Sequence, residues 1–249
     1  SGVVPSFELT KIKRQQPGKI VLSCHAIKDG MEPSIENGPE DDLHFLERSD
    51  PLEVRQTICE LVERRLPAQG FDALRDVQVI SPLREKTDLS CKAFNEILQR
   101  TLNSSDPVAK CRFKPGDKVI QTKNAVIDDQ AVVNGDIGYV RDVSGKYIEV
   151  AFESPERVVR IPRSDCDLDL AYAYTVHKSQ GSEMPVVVIP VHRCLGTRMM
   201  QRNLVYTAIS RAKKLCILVG ERSALSAAIR RTSHEKRLSR LAELLAGSV

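Results

Sequence analysis

Residues 168–191 read "LDLAYAYTVHKSQGSEMPVVVIPV". Two apolar runs enclose a stretch, Tyr174 to Glu183, rich in hydroxyls, amides and charges, with Val176 and Gly181 as its breaks. The runs "LDLAYA" and "PVVVIPV" read as buried strands, and the polar stretch between them as a turn with a short helix. The same alternation continues downstream. "RMMQRNLVYTAISRAKK" (198–214) is helical in pattern, "LCILVG" (215–220) is a strand, and helical segments run to the C-terminus. Strands alternating with helices predict an α/β fold, a parallel sheet covered on both faces.

Upstream, "PGKIVLSCHAIKDG" predicts a helix, with Pro17 in its first turn and Gly30 at its stop. "ENGPEDD" (36–42) is a loop. "SDPLEVRQTICELVERRLPAQG" predicts a second helix, capped by Asp50, with Leu52, Ile58, Leu61 and Val62 inward. "VQVIS" (77–81) is a short buried strand, and "TDLSCKAFNEILQRTLN" a third amphipathic helix. From about Lys110 to Arg163 the period drops to two in "DKVIQT", "DIGYVRDV", "KYIEVAF" and "RVVRIP", with turn signals at Asn134-Gly135 and Ser144-Gly145. This predicts a small antiparallel β-barrel, residues 110–165, inserted into an α/β domain made of 1–109 and 166–249.

The bulk composition suits a globular protein: 41% hydrophobic and 28% charged residues in 249. Aromatics are 4% with no Trp, which argues against an aromatic stacking platform as the main binding surface. A formal charge of +4 permits a nucleic-acid or phosphate partner without demanding one. The seven Cys form no CxxC pair, so a disulfide framework or a zinc site is not expected, and a reducing cytoplasm is. No apolar run approaches a membrane span, and no membrane partner is expected. The chain opens on Ser-Gly rather than Met, as a piece of a longer protein would.

In a parallel sheet, ligands gather at the carboxyl ends of the strands; the 174–183 turn starts where "LDLAYA" ends and is expected to lie on that edge. Thr175, His177, Lys178 and Ser179 offer donors suited to phosphate oxygens. Gly181 lets the backbone approach a bound group, and the acceptor Glu183 suits a sugar hydroxyl. A solvated polar turn is the bland alternative. The second stretch, "NLVYTAISRAKK" (203–214), reads as an apolar helix carrying Ser210, Arg211, Lys213 and Lys214 at its end. Arg211 would therefore be held in place, and a fixed guanidinium stabilises charge on a transferring phosphoryl group.

"TVHKSQGSE" followed by "LVYTAISRAKK" resembles motifs V and VI of superfamily 1 helicases, in the spelling of the RecD-like, 5′-to-3′ branch. "LTKIKRQQ" is similar to that family's motif IV. "VQVISPLREKTDLSCKAFNEILQRTLN" resembles the segment that follows it. "FKPGDKVIQTKNAVIDDQAVVNGDIGYV" resembles the start of the Src-homology-3-like barrel that RecD-like helicases insert into their second RecA-like domain. The resemblance implies that Arg14 and Arg211 face the γ-phosphate, Arg211 as arginine finger. It places Gln15, Gly181 and Glu183 beside the nucleotide and makes Gln180 the link between nucleotide and DNA sides. Thr175, His177 and Lys178 would contact the phosphates of single-stranded DNA. Ser81, Arg84 and Thr87, and in the barrel Gln121, Lys123 and Asn124, are further candidate strand contacts. Lys86 and Asp88-Leu89 replace the glycines usual near the first three.

No phosphate-binding GxxxxGK[ST] loop is present; Gly145-Lys146 lies in a β-turn pattern, with Val140 and Tyr147 where that motif needs Gly and Ser or Thr. In the family that loop and the Mg²⁺ carboxylates belong to the first RecA-like domain. The expectation is therefore the C-terminal motor half of an ATP-dependent DNA helicase, inactive alone, with ATP and Mg²⁺ bound only alongside an N-terminal RecA-like domain. Nuclease–helicase subunits are a further partner class. An RNA helicase of the same superfamily and a catalytically inert nucleic-acid-binding module are the alternatives.

Overall fold

The computed structural model of the protein describes residues 18–127 and 129–231, with Asp165 described in its backbone alone. Its centre is a five-stranded, wholly parallel sheet in the order β1-β12-β11-β2-β10. These strands are β1 (Leu43–Glu47), β2 (Val77–Ser81), β10 (Ala173–Thr175), β11 (Met184–Val191) and β12 (Ala212–Gly220). β2 and most of β11 and β12 are buried, as expected of inner parallel strands read as continuous apolar runs. The sheet is covered by α1 (Lys19–Lys28), α5 (Arg202–Ile209) and α6 (Arg222–Arg230) on one face and by α2 (Pro51–Glu60) and α4 (Cys91–Leu102) on the other. Right-handed crossovers require this division, because β11→β12 and β1→β2 step in opposite directions across the sheet.

Two local predictions meet their mechanism in the caps. Asp50 accepts a hydrogen bond from Leu52 N at 3.2 Å, and Ser90 accepts one from Ala93 N at 3.4 Å, opening α2 and α4. The second predicted helix is not uniform. It passes from α2 through a π turn (Leu61–Arg65) into the short α3 (Leu66–Ala68). Pro67 has no N–H to donate and its ring crowds the carbonyl of Glu63, which the wider turn accommodates. Leu52, expected inward, is 44% exposed; it sits two residues past the N-cap, off the buried stripe of Val54, Ile58, Leu61 and Val62. β1 was not anticipated. Among the described residues it is an edge strand with only β12 beside it, and it buries just Leu43 and Phe45.

The predicted antiparallel barrel is a five-stranded sheet, in the order β8-β7-β6-β3-β9, with a two-stranded hairpin, β4-β5. The strands are β3 (Lys118–Gln121), β4 (Ala125–Ile127), β5 (Gln130–Val132), β6 (Ile137–Ser144), β7 (Tyr147–Glu153), β8 (Glu156–Pro162) and β9 (Leu168–Leu170). Phe113, Val140, Val150, Phe152 and Ile161 form its own apolar cluster. Neighbouring residues of β3 serve the two cores: Val119 faces this cluster and Ile120 the main one. The run "LDLAYA" is therefore not one strand. Leu168–Leu170 pair with β3, and the chain then crosses at Ala171-Tyr172 to join the parallel sheet as β10.

The helix predicted over 203–214 ends at Ile209. Ala212, Lys213 and Lys214 already belong to β12, because its ladder with β11 begins at Met184↔Ala212. At the far end of this pair Gly220 has φ +146, and a Cβ there would stand 1.8 Å from Val191 O; no other residue fits.

Candidate functional site

Arg211 occupies the joint between α5 and β12. Its carbonyl oxygen accepts from Met184 N at 3.0 Å, which fixes its backbone to the start of β11. Its guanidinium donates from Nε to Thr207 O at 3.1 Å, from Nη1 to Ser182 O at 3.3 Å and from Nη2 to Ser210 Oγ at 3.1 Å. The residue is 8% exposed. Arg211 is thus held by its own helix on one side and by the 174–183 turn on the other. Next to it Glu183 pairs with Lys213, Oε2 to Nζ, at 2.9 Å. The guanidinium field reaches further. Burial pushes the Cys24 thiol up to about 12, with Arg211 opposing the rise, and burial likewise raises the Tyr174 phenol against Arg211. The Tyr174 hydroxyl is buried and has no hydrogen-bond partner among the described residues.

The turn itself does not stay on one edge of the sheet. Thr175 pairs with Ser81 at the carboxyl end of β2, whereas Met184 lies below the start of β2, since Val186 is the residue paired with Val77. Two parallel strands oblige any link between them to return the chain to the starting level. Residues 176–183 therefore cross the sheet's full height, correcting the expectation that the whole stretch lies on the carboxyl edge. The descent is locally knit: Ser179 N donates to Thr175 O at 3.1 Å, the buried Ser179 Oγ to Val176 O at 2.6 Å, and Ser182 N to Ser179 O at 3.1 Å. Gly181 takes φ +89 in the final bend; a Cβ would meet nothing within 4 Å, so its role is conformational. His177 and Gln180 are exposed on the way down.

At the carboxyl edge two adjoining cavities, of about 650 and about 490 Å³, run between the parallel sheet and the antiparallel unit. Arg84, Arg112, Asp169 and Lys178 line both. Of the predicted strand contacts, Arg84, Thr175 and Lys178 line the larger cavity and Lys123 the smaller. Others are placed differently. Ser81 is wholly buried and its hydroxyl donates to Leu89 O at 2.6 Å, so it shapes the loop from beneath. Gln121 is 1% exposed and donates to Lys123 O at 2.9 Å; it supports the hairpin rather than meeting solvent. The Thr87 hydroxyl is buried without a partner among the described residues. Asn124 is exposed, its Oδ1 accepting from Asn134 N at 2.8 Å across the hairpin. Arg14 and Gln15 lie outside the described residues.

Arg112, Asp169, Lys92 and Asn95 line the larger cavity and were not singled out from sequence. The basic alternation Lys110, Arg112, Lys114 before β3 was the available signal for Arg112. Among the described residues no group of three or more His, Cys, Asp or Glu is placed to hold a metal ion, and no helix is long and apolar enough to cross a membrane.

Comparison with known proteins bears on these same segments. Residues 170–219, which hold the turn, β11, α5 and Arg211, match the UvrD-like helicase C-terminal domain. The chain is 32% identical over 225 residues to the ATP-dependent RecD2 DNA helicase of Deinococcus radiodurans, covering 88% of this chain and 29% of that protein. It is 38% identical over 65 residues to the RecBCD enzyme subunit RecD of Mycobacterium tuberculosis, covering 26% of this chain and 11% of that one. In fold it is similar to Pif1 helicase from Bacteroides, solved in complex with ADP-AlF3 and ssDNA, with a TM-score of 0.57 at 17% identity, over 91% of this chain and 54% of that chain. The chain spans under a third of the length of the curated relatives named here. The likeness to the C-terminal part of a RecD-like superfamily 1 helicase thus holds over most of the sequence, and the RecA-like parallel sheet with flanking helices holds in the fold.

Proposed function

We propose that this chain is the C-terminal motor half of an ATP-dependent RecD-like DNA helicase, carrying an arginine finger on one sheet edge and a stretch of single-stranded DNA track on the other. The observation that carries the reading is the bond from Arg211 Nη1 to Ser182 O, 3.3 Å long, which joins the motif V-like turn to the motif VI-like arginine. At the amino edge of the sheet Lys213 pairs with Glu183 and the buried Arg211 lies against the neighbouring Ser182, a cationic setting that fits a polyphosphate. A buried guanidinium held by hydrogen bonds is preorganised, so little ordering cost remains when charge develops on a γ-phosphoryl group. Glu183 is the acceptor suited to a ribose hydroxyl, and its pairing with Lys213 fixes its direction.

Bound ATP with Mg²⁺ supplies the phosphoryl-transfer chemistry, and the first RecA-like domain of the full-length protein is assigned both the triphosphate cradle and the metal. This chain contributes the far wall. Closure of the two domains brings Arg211 to the reacting phosphate, where such a finger is worth roughly 10³–10⁵ in rate. The groove lined by Arg84, Thr175 and Lys178 takes the DNA backbone. Because residues 175–183 run from groove to arginine without interruption, hydrolysis and strand grip share one backbone segment.

The test is Arg211→Ala in the full-length enzyme. Single-strand-stimulated ATP hydrolysis falls by at least the ~10³ a finger supplies, while binding of an oligo-dT strand stays within twofold. Turnover at the wild-type rate in that variant removes the arginine-finger assignment.

A further inference from the structure

The four residues shared by the two cavities are three cations and one carboxylate. Lys178 Nζ lies 3.1 Å and Arg84 Nη2 3.5 Å from Asp169 Oδ2, and Arg112 Nη2 lies 3.0 Å from Asp169 Oδ1. The cations come from three separate places: the turn after β10, the loop after β2 and the segment before β3. Arg112 is tied down further by a bond from Nη2 to Leu168 O. Three positive groups converging on two oxygens match what the unesterified oxygens of a phosphodiester would receive. One carboxylate charge cannot neutralise these three, and a surplus of two positive charges remains among the four; the other charged lining, Lys92 and Lys123 against Glu85, Glu96 and Asp167, lowers the surplus of the whole groove to one. The Arg84 and Arg112 side chains are 76% and 58% exposed, so their pairs with Asp169 are weak and open to exchange.

We propose that Arg84, Arg112 and Lys178 form a phosphodiester site in which Asp169 stands in for the phosphate, and that a backbone phosphate of the single strand takes the cations over from it. This rests on the single-strand reading above and adds to it a competitor built into the protein. Asp169 keeps the three cations converged while no strand is bound, and its charge opposes the strand that replaces it. The exchange also unties β9 from the turn that carries Lys178. Near its far end that turn accepts from Arg211 at Ser182 O.

The experiment measures binding of fluorescently labelled oligo-dT to the 249-residue chain by anisotropy, from 50 to 200 mM KCl. Asp169→Asn keeps shape and removes the charge; Glu32→Gln, at a carboxylate paired with Arg230 away from the groove, changes net charge equally. Asp169→Asn is expected to bind roughly three- to tenfold more tightly at 50 mM. One more effective cation steepens the salt response, so that it loses about 2.5-fold more affinity than wild type across the range. Glu32→Gln is expected to follow wild type. Arg112→Ala, at a half-exposed side chain, tests the site however Asp169→Asn folds, and is expected to weaken binding and flatten the salt response by a similar factor. If wild type binds dT but Asp169→Asn is no tighter, or Arg112→Ala is unchanged, this proposal fails and the groove reading survives. If wild type does not bind dT at all, both fail.

Discussion

Tyr172 donates its phenol to Asp117 Oδ1 at 2.9 Å, joining the strand of chain that leaves the antiparallel unit to the one that enters it. Asp117 is completely buried, and three further donors fill its remaining acceptor sites: Asn103 Nδ2 at 2.6 Å, Gln99 Nε2 at 2.6 Å and Lys114 N at 2.8 Å. A carboxylate in this position has exchanged its water shell for four protein donors. Removing one donor leaves a buried charge undercompensated. Tyr172→Phe is expected to destabilise the protein by about 1.5–3 kcal/mol, and Asp117→Asn by more, because its amide would face donors with a donor. Urea melts of the two variants check the order; equal stability of wild type and Asp117→Asn would show that the seam carries no weight.

The next residue, Lys118, gives the seam a pH signature. It is 1% exposed, and its Nζ donates to Gln78 Oε1 at 3.0 Å. Burial lowers its pKa from 10.5 to about 8, against the opposing fields of Glu153, Asp72 and Asp76. Between about pH 8 and 10.5 the unfolded chain binds the extra proton, so this group makes stability rise with pH by roughly 3 kcal/mol in all. Below pH 8 the cost of the buried charge is constant. Four buried thiols run the other way: burial raises Cys59 to about 11, Cys24 and Cys91 to about 12, and Cys216 well above its usual value. Each favours the folded state below about pH 9 and loses that contribution above it. Lys118→Met cancels the thiols in the comparison. The stability difference between wild type and Lys118→Met is expected to move in favour of wild type as pH rises from 8 to 10, and a flat difference contradicts the buried-cation account.

Which parts of this were legible in the sequence follows from which forces are local. Asp50 and Pro51 act within one helical turn, and the inner strands "VQVIS" and "PVVVIPV" announce themselves by unbroken apolarity. β1 escaped notice because an edge strand buries only Leu43 and Phe45, and so lacks that run. The division of "LDLAYA" between two sheets is set by pairing with β3, some fifty residues away, which no local pattern records. That the Arg211 side chain is held in place was readable because it follows an apolar helix. Ser81 and Gln121, candidate strand contacts by resemblance, are buried, and a hydroxyl or amide looks the same in sequence whether it meets solvent or a buried carbonyl. Asp169 was hidden as one acidic residue in an apolar run; its three partners converge only through the tertiary fold.

The separation of Thr175 from Glu183 yields the last prediction. Eight positions apart in sequence, they stand at opposite edges of the parallel sheet, Thr175 beside Ser81 at the carboxyl ends and Glu183 just before the Met184↔Ala212 pair at the amino ends, its side chain on Lys213. If the groove holds the strand and the amino edge meets the nucleotide, substitutions at the two ends of one short turn act on different ligands. In the full-length enzyme Lys178→Ala is expected to weaken oligo-dT binding by about threefold to tenfold, the worth of one lost phosphate contact, and to leave the KM for ATP within twofold when measured at saturating strand. Glu183→Gln reverses the pattern, raising the KM for ATP with dT affinity unchanged, because an amide keeps the shape but forfeits the charge-assisted bond. Steady-state hydrolysis over a matrix of ATP and dT concentrations separates the two. Were both variants to change both constants alike, the turn would be a single site, and the division of labour between the two sheet edges would have to be abandoned.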